Sequence, residues 1–197
     1  METAAASADK VLLLGDPRLR KVAAPVRDFA DPVFQDDGRR LVAKLHAFRA
    51  AYGFGRAMAA PQLGIDRRLI ALDLGGGEGP HLLVNPVVTW TSNGTFTLWD
   101  DCMSFPSLLV RVRRADSLSL RFCDDTGAPV VWERVDRARS ELLQHELDHL
   151  DGILAVDRAL DRDAIVLREV YDADPARFRA QVDYEIGEPP ISPARSR

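Results

Sequence analysis

QHELDHLDGIL, residues 144–154, is the stretch that decides the fold and the chemistry of this chain. Its first part has the pattern H-E-x-x-H, formed by His145, Glu146 and His149. On a helix, positions i and i+4 share one face, so both imidazoles can reach a single metal ion. Glu146 can then accept a proton from a water molecule that the metal activates. The stretch therefore predicts a metal-dependent hydrolytic site.

The helix that carries this pattern is predicted from about Arg137 to Leu150. Asp136 can cap its start and Gly152 can end it. Leu143 and Leu147 belong to a buried stripe of the same helix, and histidines beside such a stripe can serve packing alone. A glutamate between two histidines is unusual for packing, which favours the metal interpretation.

A catalytic metal site also needs a third protein ligand and one open position. The extended pattern H-E-x-x-H-x-x-G-x-x-H fails here, because Ala155 stands where a third histidine would be. Glu169 could complete a site of the zinc protease type, although it also fits a solvated charge beside Arg168. Cys102, upstream, is another route, and by itself it also fits an ordinary small apolar residue. The residues alone leave these routes open.

The rest of the chain predicts an α+β fold. A first helix, Asp36–Tyr52, has apolar residues at helical spacing and Gly53 as its stop. A third helix is predicted over Asp161–Val170, and Pro175 interrupts its extension. Strands bunched between helices indicate α+β rather than a wound parallel sheet, and Asp124–Gly127 predicts a hairpin turn. The predicted strands are Leu69–Leu74, Leu82–Trp90, Leu108–Arg114, Ser117–Cys123 and Val130–Val135.

The chain as a whole has 197 residues, 46% of them hydrophobic, which fits one globular domain with a sizeable core. We predict a single catalytic domain over residues 1–184, with residues 1–9 frayed and residues 185–197 forming a flexible tail. A net charge of -4 argues against nucleic acid as a partner. The sequence predicts neither a signal peptide nor a membrane span, so a cytoplasmic protein is expected.

Three arginines, Arg111, Arg113 and Arg114, stand in one of the predicted strands. They alternate with Val110 and Val112, so we interpret them as the solvated face of that strand rather than as a phosphate-binding patch.

Three segments together resemble the peptide deformylase family. GRAMAAPQ at Gly55–Gln62 is similar to the first family motif, G-x-G-x-A-A-x-Q. DDCMS at Asp100–Ser104 resembles the second, E-G-C-x-S, and QHELDH resembles the third. The motifs occur in the family's order, and the similarity spans roughly residues 10–160. It implies a deformylase-like fold with small antiparallel or mixed sheets around the central H-E-x-x-H helix, and a C-terminal helix.

The resemblance implies a role for each matching residue. Cys102 would be the third metal ligand beside His145 and His149. This donor set suits one divalent metal, Fe(II) first, with Zn, Ni or Co also fitting. Glu146 would be the general acid/base, while the Gln62 amide and the Met103 backbone N–H would stabilise the oxyanion. Family members remove the formyl group from the N-terminal formylmethionine of new polypeptides, so an N-formylated peptide and a transient contact with the ribosome are the implied partners.

Substrate contacts are expected along the first motif and on the central helix. The segment from Gly53 to Gly64 is small and apolar, and could form a loop or edge strand beside an extended peptide, or simply a turn-rich connection. Gly55 and Ala57 would lie against the peptide. Met58 and Leu142 would form walls of an apolar methionine pocket.

Several positions depart from the family pattern. Ala57 replaces a glycine, so the backbone there is expected to differ. Asp101 puts a carboxylate beside a metal ligand, and Glu141, one turn before His145, should point toward the site or its mouth. Leu109 replaces an arginine that often holds the peptide backbone in the family. The two carboxylates would either face solvent or favour a cationic group.

These departures support a second hypothesis, a divergent amidase that acts on another N-formyl or N-acyl compound, including a cationic one. A third hypothesis is a non-enzymatic binding module that retains a closed structural metal site.

Overall fold

The computed structural model describes residues 10–75 and 79–187 and has the predicted α+β architecture. Two antiparallel sheets flank one central helix. The segment predicted to be frayed, residues 1–9, and most of the predicted tail, residues 188–197, lie outside the described residues.

In the described part of the chain, eight strands form the two sheets, one with five strands in the order β1-β2-β3-β6-β7 and one with three in the order β4-β5-β8. All pairings between neighbours are antiparallel. The five predicted strands are present within a few residues of their expected ends. The strands are β1 (Ala57–Ala59), β2 (Leu69–Leu72), β3 (His81–Thr91), β4 (Thr95–Asp101), β5 (Leu108–Ala115), β6 (Leu118–Cys123), β7 (Pro129–Trp132) and β8 (Ile165–Leu167).

Helix α1 spans Pro32–Tyr52 and begins earlier than the predicted Asp36. Asp31 caps it by accepting a hydrogen bond from the Val33 backbone N–H, and Pro32 supplies the fixed φ that suits a first turn. Gly53 ends it in the left-handed conformation, with a φ of 77°, as predicted.

Helix α2, Arg137–Leu150, has the predicted bounds and lies between the sheets. The Asp136 side chain accepts a hydrogen bond from the Arg139 backbone N–H and so caps the start. The leucine stripe, with Leu143 fully buried, packs on the inner face of the five-stranded sheet. The opposite face of that sheet packs against α1.

Strand alternation decides the place of Met58. Ala57 and Ala59 face α2, whereas Met58 points to the opposite face and is fully buried in the α1 core. It does not line the active-site cavity, so its predicted role as a wall of the methionine pocket is wrong.

The C-terminal region differs from the prediction. The helix expected over Asp161–Val170 begins only at Arg168, and β8, which pairs with β5, takes the place of its first part. Two short helices follow, α3 (Arg168–Ala173) and α4 (Pro175–Arg179). Pro175, expected to interrupt a helix, begins one, with Asp174 as its cap. The free edge of β5 offers backbone hydrogen bonds to β8, and this pairing outweighs the helical preference of the local sequence.

No helix within residues 10–75 and 79–187 is long and apolar enough to span a membrane.

Candidate metal centre and active-site cavity

Three buried side chains converge between α2 and the end of β4. Cys102 follows directly after β4, and His145 and His149 project from one face of α2. The Cys102 Sγ lies 3.3 Å from the His149 Nε2, and one ligand atom from each residue falls within 4.8 Å of the others. Within the described ranges, this is the one such group that could hold a metal ion.

This donor set fits a divalent metal. Bond lengths of about 2.3 Å to sulfur and about 2.0 Å to nitrogen in a tetrahedron place S and N about 3.5 Å apart. The observed 3.3 Å between Cys102 and His149 is close to that value. The Ser104 backbone N–H lies 3.4 Å from the sulfur and the Gln62 amide lies 3.7 Å from it, so both can support a thiolate.

Asp100 orients the first histidine. Its carboxylate lies 3.0 Å from the His145 Nδ1, so the Nε2 is left to face the site. Arg114 donates to the same carboxylate at 3.0 Å. Burial alone would raise the pKa of Asp100, but His145 and Arg114 hold it well below its usual range. Asp100 therefore stays a carboxylate, and in the sequence it stands where the second family motif has a glutamate.

Arg114 was predicted to be solvated and is in fact buried, with 3% of its side chain exposed. It bridges Asp100 and Asp148, which lies within the H-E-x-x-H segment on α2, with a distance of 2.6 Å to the latter. The signal for its burial was in the sequence. Val110, Val112 and Arg114 follow the two-residue period of one strand face.

The pKa values of the histidines diverge. Burial lowers the pKa of His145, yet the neighbouring Asp100 and Cys102 raise it well above its usual value. Burial, with the nearby His145, lowers the pKa of His149 well below its usual value. His149 is thus favoured as a neutral imidazole, the form that binds a metal.

Glu146 lies in the wall of the same cavity with 3% of its surface exposed. Its Oε2 is buried and has no hydrogen-bond partner among the described residues. Burial raises the pKa of Glu146 to about 7. The carboxyl is therefore poised between its protonated and ionised forms near neutral pH, as a group that takes and returns a proton requires.

Gln62 and Met103 also line this cavity. The Gln62 carbonyl accepts from the Ala59 N–H at 2.9 Å, which aims its NH2 group toward Cys102 and Ser104. The N-terminal segment joins the two loops that carry these groups. The Leu12 backbone N–H donates to the Gln62 backbone carbonyl, and the Leu14 backbone N–H donates to the Ser104 backbone carbonyl, both at 2.8 Å.

A cavity of about 480 Å³ opens over this site. Of the residues predicted to bind substrate, Gly55, Ala57, Asp101, Glu141 and Leu142 line it. Gly55 has a φ of 116°, a backbone conformation that favours glycine, and a Cβ there would also displace the end of the Met103 side chain. Ala57 lies in β1 and needs no positive φ, so alanine fits.

Each of the two extra carboxylates forms an ion pair with an arginine of this chain. Arg168 of α3 pairs with Asp101 at 3.1 Å and also lies over the Phe54 ring. Arg56 forms an ion pair with Glu141, which is 2% exposed. Burial raises the pKa of Asp101 and that of Glu141, the latter to about 7, and each arginine opposes the rise. Sequence reasoning had found neither arginine partner.

Two further expectations can be placed. Leu109 packs against Trp99 and Phe178 at the cavity edge, so an apolar contact occupies the position of the family's arginine. Glu169 is exposed on α3 and does not belong to the metal group, so the zinc protease arrangement is not formed.

Fold and site together define a class of metallohydrolase in which a cysteine is the third metal ligand beside the two histidines of an H-E-x-x-H pattern. The polypeptide deformylase family model matches residues 8–164, and the chain belongs to that family. It is thus a hydrolase that acts on an N-formyl amide bond.

Known peptide deformylases align with this chain over most of its length. A peptide deformylase of Thermotoga neapolitana is 32% identical over 160 residues, which cover 81% of this chain and 92% of that protein. A peptide deformylase of Alkalilimnicola ehrlichii is 38% identical over 151 residues, covering 75% and 79%. The crystal structure of the Synechococcus elongatus enzyme in complex with actinonin has a TM-score of 0.71 at 30% identity, covering 84% of this chain and 85% of that one.

Proposed function

We propose that this enzyme removes the formyl group from the N-terminal formylmethionine of newly made polypeptides and releases formate. One observation carries the proposal. Two of the metal ligands (Cys102 and His145), a buried carboxyl with an unpartnered oxygen and an amide donor line one cavity open to solvent. A nascent chain bearing the formyl group is the proposed partner, and contact with the ribosome would be transient.

The metal would be a single divalent ion held by Cys102, His145 and His149, with Fe(II) proposed first and Zn, Ni or Co fitting the same donors. Bound there, it would supply Lewis-acid chemistry and lower the pKa of a water molecule. Asp100 would hold the His145 ring in the tautomer that presents Nε2 to the site.

The chain's own groups would carry the proton and the developing charge. Glu146 would take a proton from the attacking water at its free Oε2 and deliver it to the leaving amide nitrogen. The Gln62 NH2 group and the Met103 backbone N–H would donate to the formyl oxygen as it gains negative charge. The glycine at position 55 would let an extended peptide approach the backbone beside β1.

The decisive test is formate release from a formyl-Met-Ala peptide by protein purified without oxygen, with the metal content assayed. We expect turnover in the native enzyme and a loss of at least about 10²-fold in Glu146→Gln, because proton transfer typically contributes that factor. Glu133→Gln, a change at an exposed glutamate outside the cavity, is the matched control. Metal bound in stoichiometric amount with no formate from formyl-Met peptides would refute the proposal.

The alternative hypothesis of a cationic substrate is not favoured. It rested on Asp101 and Glu141 as unpaired acceptors, and each has an arginine of this chain as its partner. The closed structural module is not favoured either, since Cys102 and His145 line a cavity.

A further inference from the structure

The wall of the cavity one helical turn before His145 contains a buried ion pair. Glu141 lies four residues before His145 on α2, and the two side chains therefore share a face. Arg56, the residue directly before β1, forms an ion pair with the Glu141 carboxylate. The Arg56 side chain is 17% exposed and that of Glu141 is 2% exposed, and both residues line the cavity.

Arg56 is held in place from two sides. Its backbone carbonyl accepts a hydrogen bond from the Asp73 N–H at 2.8 Å, beyond the end of β2. Its guanidinium donates to the Glu141 carboxylate and to the Ala138 carbonyl in the first turn of α2. A guanidinium has five N–H donors, so donors remain for a ligand in the cavity, as judged from the described residues.

Stability alone does not explain this pair. A buried ion pair is often no more stabilising than well-packed apolar residues of similar volume. Leu142, the next residue on the helix, is an apolar cavity wall. The cavity wall beside the site thus combines an apolar side chain with a hydrogen-bond donor that an ion pair holds in place.

Resting on the proposed function, we propose that Arg56, held by Glu141, ends the pocket for the first side chain of the substrate. There it binds an oxygen acceptor on a side chain of about methionine length. The substrate class then extends from formylmethionine to N-formyl peptides that begin with methionine sulfoxide or glutamine. A polar pocket discriminates strongly against an analogue that leaves its polar group unpaired, whereas an apolar pocket discriminates weakly.

The test compares kcat/KM for formyl-X-Ala-Ser peptides in which X is methionine, methionine sulfoxide, glutamine or norleucine. Norleucine has the length of methionine and lacks an acceptor. We expect the sulfoxide and glutamine peptides to exceed the norleucine peptide in the native enzyme. In Arg56→Leu/Glu141→Leu, the ratio of kcat/KM for the sulfoxide or glutamine peptide to kcat/KM for the norleucine peptide should fall by about tenfold or more. Ratios measured on one preparation are independent of its metal loading.

Two further variants keep the test decisive. The double change avoids a buried unpaired charge. Should it fail to fold, Arg56→Gln/Glu141→Gln replaces the pair by neutral groups of similar shape and should lower the same ratio. Arg67→Leu/Asp37→Leu removes an ion pair outside this cavity and should leave the ratio unchanged.

The outcomes separate the two claims. Norleucine preferred by the native enzyme, or a ratio that neither cavity variant changes, overturns the role of Arg56 while formylmethionine turnover stands. Absence of formate from every peptide, with metal bound, overturns the proposed function and this inference with it.

Discussion

At the residue scale, one carboxylate connects the metal ligands to the rest of the molecule. Asp100 contacts His145 and Arg114, and Arg114 in turn reaches Asp148 on α2. The network is buried, so every charge in it has a partner of opposite sign. Partners of this kind orient metal ligands, and their loss typically weakens metal affinity.

Asp100→Asn should weaken metal binding by about 10–100-fold, because the amide orients the His145 ring less well and removes the charge that favours metal binding. Titration with Zn²⁺ or Co²⁺ in competition with a chelator of known affinity measures the change.

The matched control is Asp101→Asn, at the neighbouring residue whose carboxylate pairs with Arg168 rather than with a ligand histidine. Its metal affinity should stay close to that of the native chain. An equal loss in both variants would assign the effect to general charge and not to orientation of His145.

At the element scale, the ends of the two long helices look alike in sequence but have different surroundings. Gly53 after α1 and Gly152 after α2 have φ values of 77° and 71°. A Cβ at Gly53 would meet nothing within 4 Å, whereas one at Gly152 would stand 2.5 Å from the Arg20 carbonyl oxygen. The end of α2 is thus packed tightly against the N-terminal segment.

Gly53→Ala should lower the free energy of unfolding by roughly 1–2 kcal/mol, the cost of a left-handed alanine. Gly152→Ala should cost about 1–3 kcal/mol more, because backbone must move to admit the methyl group. Urea denaturation of both variants measures the difference. Equal losses of unfolding free energy in the two variants would mean that the close approach of the Arg20 carbonyl to Gly152 adds nothing to the cost of the substitution.

At the scale of the whole molecule, the metal site joins parts that are distant in the chain. Cys102 follows a strand of the three-stranded sheet, and the histidines belong to the helix packed on the five-stranded sheet. A metal bound to the native state alone stabilises it by about 2.7 kcal/mol when its concentration is 100 times Kd.

Removal of the metal by a chelator should therefore lower Tm, and readdition of Zn²⁺ should restore it. The shift should shrink as pH falls, because protons compete for the Cys102 thiolate and the imidazoles. Cys102→Ala should abolish the shift, and Glu169→Ala, at the exposed glutamate of α3, should leave it intact. If the Tm shift disappeared in Glu169→Ala and not in Cys102→Ala, the third ligand would be Glu169, as in the zinc protease arrangement.

Local rules predicted much of this fold. The bounds of α2 follow from a cap, an apolar stripe and the glycine beyond its end, all of which act within a few residues. The helix predicted over Asp161–Val170 begins only at Arg168 because β5 has an unpaired edge that β8 covers, a long-range contact that periodicity does not report. Strand β4 was also missed, although Phe96 and Leu98 alternate with Thr95 and Thr97 in the two-residue period of a half-buried strand.

The sequence by itself determined the metal-binding pattern, the family and the α+β class, because motif spacing on a helix and the order of elements are properties of the chain. Only the tertiary structure decided the charges around the cavity. Arg56 is 85 residues from Glu141, and Arg168 is 67 from Asp101. Each carboxylate resembles a free acceptor in the sequence, and folding brings the arginine that neutralises it from a distant element.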